Sequence, residues 1–303
     1  MSDGLELRSA TELFRHWLTA LRPAHWVKNL LVAAPMVFGH AAPTPSLLMS
    51  LAAAFVVCCL AASAGYLVND VRDLASDRAH ASKRTRPITL GLIDPRQALA
   101  VASALAAGSL ALAYLISPAA AAFVAAYLAL TAAYSRWLKR LPVIDVCGLA
   151  LLFALRLQIG GVASDIVVSG WLFAFGCCLF LSLALAKRLD EVVTSDRAHG
   201  EAVPGRAYGP GDAAALMRGA ILCGTVAIAV LAAYISLRAG DIYVYRQPDW
   251  LWLSTALLAV WLAHMLRRAA AGRLHGDPVV VATSDPISLG LAIAVVASII
   301  LAV

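Results

Sequence analysis

Residues 46–68 read SLLMSLAAAFVVCCLAASAGYLV, and residues 69–87 continue at once as NDVRDLASDRAHASKRTRP. The first part is an unbroken apolar run of the length a membrane-crossing helix needs, roughly 20 residues. The second part packs acid and base into one short stretch. In a helix, Asn69, Asp73 and Asp77 recur at i, i+4 and i+8 on one face, with Asp70 on its edge. Like charges at that spacing weaken an isolated helix by roughly 0.2–0.5 kcal/mol per pair. A hard divalent cation offsets that repulsion, because Mg²⁺ takes carboxylate oxygens and completes its shell with water and substrate phosphates. Lys83, Arg84 and Arg86 follow as cations able to hold the rest of a polyphosphate. A solvated loop of mixed charge is the plainer reading of such a run. The regular spacing, directly at the end of an apolar helix, favours the metal–phosphate reading.

Composition sets the class. The chain has 303 residues, 61% hydrophobic and 14% charged, with a mean hydropathy of +0.81. A soluble domain is about 45–50% apolar and about 25% charged. This is therefore an all-α, polytopic membrane protein. The net charge of +6 is parcelled into short loops, and no nucleic-acid motif accompanies it. The cysteines, Cys58, Cys59, Cys147, Cys177, Cys178 and Cys223, lie in apolar runs without CxxC spacing and read as small buried hydrophobes. The scattered histidines form no HxxxH or HExxH pair, and no GxxxxGK[ST] or GxGxxG sequence occurs. The start, MSDGLELRSATELFRHW, lacks the basic-then-apolar order of a cleavable signal peptide.

Taken in order, residues 1–22 read as an amphipathic segment on the cytoplasmic membrane surface, and 23–303 as one transmembrane domain. Nine spans are expected: Leu30–Gly39, Ser46–Val68, Ala98–Ile116, Ala119–Tyr134, Val143–Val162, Val168–Ala186, Ala213–Leu237, Leu251–Leu266 and Ile287–Val303. The first is short, with Trp26 at its interfacial end. A charged segment, Lys187–Asp212, separates the sixth and seventh. Nine spans put every Lys and Arg on one side except Arg238, Arg246 and the intramembrane Arg156. That asymmetry places the N-terminus and the acidic motif in the cytoplasm.

A second acid–base cluster, AKRLDE, stands where the sixth span ends, with Lys187, Arg188, Asp190 and Glu191. The two clusters are expected to face one cytoplasm-facing cavity. Snorkelling cations with acidic partners would look the same. Arg156 and Gln158 lie inside the fifth span. An arginine there costs about 2.5 kcal/mol or more unless it faces a wet cavity or a partner. Gly160-Gly161 just beyond permits close helix contact.

These residues resemble the UbiA superfamily of intramembrane prenyltransferases, which carries NDxxDxxxD after its second span. The match is most specific to the branch of decaprenyl-phosphate phosphoribosyltransferases. RPAHWVKN, residues 22–29, looks like that branch's RPxQWxKN, with His25 for glutamine. YLVNDVRDLASDRAHASKRTRPI resembles YLxNDxxDxxxDRxHPxKxxRPI, with Ala81 for proline. LAKRLDE looks like KRxxE, and GRAYGPGD and GDPVVVATSD resemble stretches of bacterial members. Aromatic-acceptor prenyltransferases carry a second DxxxD in the later loop. Here Thr194 stands four residues after Asp190.

The resemblance implies transfer of a 5-phosphoribosyl group from phosphoribosyl pyrophosphate to a polyprenyl phosphate, for cell-envelope glycan precursors, at the bacterial inner membrane. Asp70, Asp73 and Asp77 would be the metal ligands for Mg²⁺, helped by Asn69, and with Lys28 would form the catalytic set. Lys83, Arg84, Arg86 and Lys28 would neutralise phosphate oxygens. Asn29, Tyr134, Arg156, Lys187, Arg188 and Glu191 complete the substrate-binding set, with Arg156, Lys187 and Arg188 toward the lipid phosphate. One rival is an aromatic prenyltransferase with a polyprenyl diphosphate donor. A transporter is another, against which stands the clustering of charge at helix ends. The sequence leaves the oligomeric state open, a homo-oligomer included.

Overall fold

The computed structural model describes residues 2–79, 83–199, 208–238, 244–274 and 276–303. Ala81, the Gly205–Ala207 start of GRAYGPGD, His80, His275 and residues 239–243 of the expected outer loop 239–249 lie outside them. Every described element is helical. The helices are α1 (Ser2–Leu21), α2 (Ala34–Phe38), α3 (Pro45–Arg72), α4 (Leu74–Ala79), α5 (Pro95–Ile116) and α6 (Pro118–Arg136). They continue as α7 (Ile144–Ser164), α8 (Gly170–His199), α9 (Ala213–Leu237), α10 (Trp250–Ala270), α11 (Pro278–Ala282) and α12 (Pro286–Ala302). Seven are long and apolar enough to cross a bilayer, and α12 is a shorter apolar helix.

The expected first span differs. Residues Pro23–Ala33 form a 3₁₀ helix of 11 residues, which α2 follows. Runs of 3₁₀ beyond three or four residues are uncommon. Here close packing accompanies it: a Cβ on Gly160 would meet the Val32 carbonyl oxygen at 2.0 Å. The Gly160-Gly161 pair thus permits the close approach its composition suggests, against a 3₁₀ helix. Trp26, expected at the membrane interface, instead gives its indole N–H to Ser63 Oγ at 3.0 Å, and Ser63 gives its own to the Leu21 carbonyl at 3.0 Å.

Helix starts follow one local rule. Thr44-Pro45, Asp94-Pro95, Ser117-Pro118, Asp277-Pro278 and Asp285-Pro286 each put a capping side chain before a proline in the first turn. The cap satisfies an orphan N–H, and proline has none to lose there. α8 runs past the expected end of the sixth span, so Lys187–His199 is helix rather than loop.

The chain divides into two compact units. Unit 1 holds residues 1–36, 43–139 and 155–166. In it α3 packs on α5 and α6, and α1 packs on α3. Trp17, Ala20 and Leu21 of α1 join a core of Leu67, Ile88, Ile93, Ala98 and Ala102, while Leu13 and Phe14 stay exposed. Only part of the apolar face of α1 is therefore left for a membrane surface. Unit 2 holds residues 37–42, 140–154 and 167–303, with α8 on α9 and α10, and α10 on α12. Cys58 and Cys59 are buried as expected, whereas Cys147 is exposed on α7 and Cys177, Cys178 and Cys223 are intermediate.

Candidate active site

In unit 1 the acidic row sits at a helix break. α3 ends at Arg72, and Asp73 is its C-cap with φ −88° and ψ 5°. The Asp73 N–H still bonds the Asn69 carbonyl at 2.9 Å, and the Asp77 N–H bonds the Asp73 carbonyl at 2.8 Å. The i, i+4 rhythm therefore continues through a kink rather than along one straight face. The kink divides the expected stripe. Asp70 and Asp77, each nearly fully buried, turn to one guanidinium: Arg86 Nη1 lies 3.0 Å from Asp70 Oδ1 and 2.5 Å from Asp77 Oδ2. Asp73 instead pairs with Lys139.

Arg22 completes the arrangement. Its Nη2 lies 2.5 and 2.8 Å from the two Asp70 oxygens, and its guanidinium carbon is 5.0 Å from the Tyr66 ring centre. Burial pushes the Asp77 carboxyl above the ordinary carboxylate value, against the pull of Arg86 and Lys83. Lys83 and Arg84 lie on a short 3₁₀ turn, Lys83 half-buried and Arg84 exposed. Lys28, Asn69 and Tyr134 are half-buried.

Among the described residues, no three His, Cys, Asp or Glu side chains converge closely enough to hold a metal ion. The Asp70–Asp77 pair is a different matter. Both carboxylates reach one nitrogen, so their facing oxygens are no further apart than the sum of those two bond lengths. Mg²⁺ is usually bound by one or two carboxylates plus phosphate and water, and these are hard oxygen donors. The donor set fits such an ion at the place Arg86 Nη1 now fills.

Arg156 is 4% exposed. Its Nε donates to Asn29 Oδ1 at 2.9 Å and its Nη2 to the Tyr127 hydroxyl at 2.8 Å, with the Tyr127 ring centre 4.9 Å away. Asn29, fully buried, gives its amide N–H to Cys59 Sγ at 3.2 Å. The expected partner for an intramembrane arginine is thus a polar network joining α3, α6, α7 and the 3₁₀ helix.

In unit 2, Arg188 is 1% exposed and faces inward. Its Nε donates to Asp145 Oδ2 at 2.6 Å and its Nη1 to Glu191 Oε2 at 2.5 Å. Asp145 also accepts the Tyr208 hydroxyl at 2.7 Å, and that hydroxyl accepts the Val143 N–H at 3.0 Å. Burial, then the hydrogen bond to Asp145, pushes the Tyr208 hydroxyl up from its usual value. Asp190 accepts the Leu274 N–H at 2.9 Å, and Lys187 Nζ lies 3.7 Å from Asp277. Sequence reasoning left Arg22, Lys139, Asp145, Tyr208 and Asp277 outside the site. Arg22 opens the quoted RPAHWVKN motif, and Tyr208 and Asp277 lie in the quoted GRAYGPGD and GDPVVVATSD stretches, which were their available signals; Lys139 and Asp145 lie in no quoted motif.

Three comparisons bear on this geometry. The chain is 32% identical over 289 residues to the uncharacterized protein y4nM of Sinorhizobium fredii, covering 94% of this chain and 56% of that one. It is 40% identical over 187 residues to the decaprenyl-phosphate phosphoribosyltransferase of Mycolicibacterium smegmatis, covering 59% of this chain and 58% of that one. The chain therefore spans little more than half the length of these two relatives. In fold it is similar to a UbiA homolog from Archaeoglobus fulgidus bound to DMAPP and Mg²⁺, with a TM-score of 0.69 and 18% identity over 93% of this chain and 98% of that one. The sequence profile of the UbiA prenyltransferase family matches residues 29–284, from the buried Asn29 to the residue before the Asp285 cap. A match of that extent, over a helical fold of the same kind, makes this chain a member of the UbiA prenyltransferase family.

Proposed function

We propose that this protein transfers a 5-phosphoribosyl group from phosphoribosyl pyrophosphate to a polyprenyl phosphate in a bacterial inner membrane, releasing pyrophosphate, with its active site toward the cytoplasm. One observation carries the choice of donor. Asp190, the acid where a second metal-binding row would begin, is 5% exposed and spends an oxygen on the Leu274 N–H, and Thr194 stands where the next acid would be. That leaves a single acidic row among the described residues, which favours the sugar donor over a prenyl diphosphate. The identity to the M. smegmatis phosphoribosyltransferase supports the same reading.

In this proposal Asp70 and Asp77 would hold Mg²⁺, with Asp73 and Asn69 as their neighbours along the chain. When bound, the ion supplies Lewis-acid stabilisation of the leaving pyrophosphate. Arg86, Lys83, Arg84 and Lys28 stabilise negative charge on phosphate oxygens as the bond from C1 to the pyrophosphate oxygen breaks. The ribosyl carbon develops oxocarbenium character, as in glycoside cleavage. A lipid phosphate oxygen forms the new bond to C1. That phosphate is already anionic at neutral pH, so no strong general base is needed. Lys187 is the charge assigned to the lipid phosphate. Arg188, spent on Asp145 and Glu191, ties α8 to the start of α7.

The test is incubation of membranes carrying the protein with labelled phosphoribosyl pyrophosphate or labelled prenyl diphosphate. Label in a mild-acid-labile lipid from the first donor is expected. Label in lipid from the second donor only would exclude the reading.

A further inference from the structure

Every carboxylate of the acidic row already has a cation. Asp70 holds Arg22 and Arg86, Asp77 holds Arg86, and Asp73 holds Lys139. Three acids are paired with three bases and Lys83 acts on Asp77 as well, so the row carries no uncompensated negative charge as it stands. A divalent ion arriving alone between Asp70 and Asp77 would take the anions from Arg22 and Arg86, and an ion that also recruited Asp73 would take the one beside Lys139, 7% exposed. Breaking such a pair by removing one partner is destabilising, because it leaves a charge uncompensated. An ion arriving with a diphosphate brings a replacement anion. Guanidinium groups take phosphate oxygens in a fork and ammonium groups take them as point charges.

We propose that Arg22, Arg86 and Lys139 are an exchangeable cation set. They hold Asp70, Asp77 and Asp73 in the absence of donor and turn onto diphosphate oxygens when the carboxylates are given over to a divalent ion. The inference rests on reading the row as a metal–diphosphate site, and it adds Arg22 and Lys139 to the groups that touch substrate. Arg22 is anchored at its backbone, so an exchange of partners falls to its side chain. Its backbone is fixed in the left-handed region, at φ 56° and ψ 60°, where α1 gives way to the 3₁₀ helix, and the Tyr66 face lies under its guanidinium. A non-glycine residue there is strained and persists only where its surroundings hold it. The coupling is reciprocal: whatever diphosphate does for the ion, the ion does for diphosphate.

The test uses full-length protein in detergent and two probes. One is Mn²⁺ alone, followed by its electron paramagnetic resonance signal. The other is preformed Mn²⁺–pyrophosphate, labelled with ³²P and followed by equilibrium dialysis. Arg22→Gln and Lys139→Gln are expected to tighten binding of Mn²⁺ alone and to weaken binding of Mn²⁺–pyrophosphate, each by on the order of tenfold, within the usual range for coupled sites. Lys139→Arg, which keeps an exchangeable cation, is expected to restore both. Fixed supporting ion pairs would move the two affinities together or not at all, and that result overturns the exchange while leaving the site reading intact. Wild-type protein that binds neither probe would remove the metal–diphosphate reading and the exchange with it.

Discussion

Arg188 Nε sits 2.6 Å from Asp145 Oδ2, and the two side chains are 1% and 0% exposed. Removing one partner of such a pair leaves a buried charge alone, at a cost of about 3–5 kcal/mol. Arg188→Met or Asp145→Asn should therefore lower the detergent-solubilised melting temperature sharply. The double substitution should recover much of the loss, because no lone charge remains. Thermal unfolding followed by circular dichroism reads both effects. Additive losses in the double variant would mean that the pair is not the stabilising unit.

Asp70→Asn and Asp77→Asn keep shape and hydrogen bonding while removing charge. Each should reduce the proposed ribosyl transfer at least 10²-fold per folded molecule, on the order of what is lost with one group stabilising a developing charge. Melting temperature should fall as well, because each substitution takes the charge from a largely buried ion pair, so transfer is compared at equal amounts of folded protein. Transfer rates within a factor of two of wild type would detach the row from catalysis.

Gly160→Ala would place a methyl 2.0 Å from the Val32 carbonyl oxygen. Neither backbone can yield without moving the 3₁₀ helix, so the loss should be about 1–3 kcal/mol or somewhat more. Gly290→Ala is the control, since nothing lies within 4 Å of its added carbon. Equal melting temperatures for the two variants would contradict the close approach.

Asp285 caps α12 and provides the pH prediction. Burial opposes its charge, but the Ser288 N–H and hydroxyl and His264 outweigh burial and hold the carboxyl below the ordinary aspartate range. A depressed carboxyl stabilises the fold above its unfolded value and loses that contribution as pH falls through the folded value. Stability should therefore decline below about pH 4, the ordinary aspartate range. Asp285→Ala should be less stable at neutral pH and flatter across that window. A melting temperature as pH-dependent in the variant as in wild type would assign the acid sensitivity elsewhere.

Much of the fold was readable before any coordinates. α9 has the expected bounds, Ala213–Leu237, and α5, α6 and α10 start within a few residues of expectation. Hydropathy sees such helices because lipid demands continuous apolar sequence. Capping residue plus proline marks where they start. Leu30–Gly39 read as a short helix because periodicity over ten apolar residues does not separate 3₁₀ from α. The acidic row was legible as a set, but its division was not: the break at Asp73, which sends Asp77 to Arg86 and Asp73 to Lys139, is set by partners distant in sequence. Asp145 and Tyr208 likewise gain meaning only when α7 and the segment before α9 meet Arg188.

The 3₁₀ helix also explains the spacing within RPAHWVKN. Trp26 reaches Ser63 and Asn29 reaches Cys59, three positions forward on one helix and four positions back on the other. Three residues of 3₁₀ helix advance ~6 Å, and four residues of α-helix advance ~6 Å. The two rods therefore mesh like racks of equal tooth spacing cut at different gauges. Val32, one further tooth along, meets Gly160. Inserting or deleting a single residue between Trp26 and Val32 would put every later tooth out of step, so the length of this segment is as constrained as its chemistry.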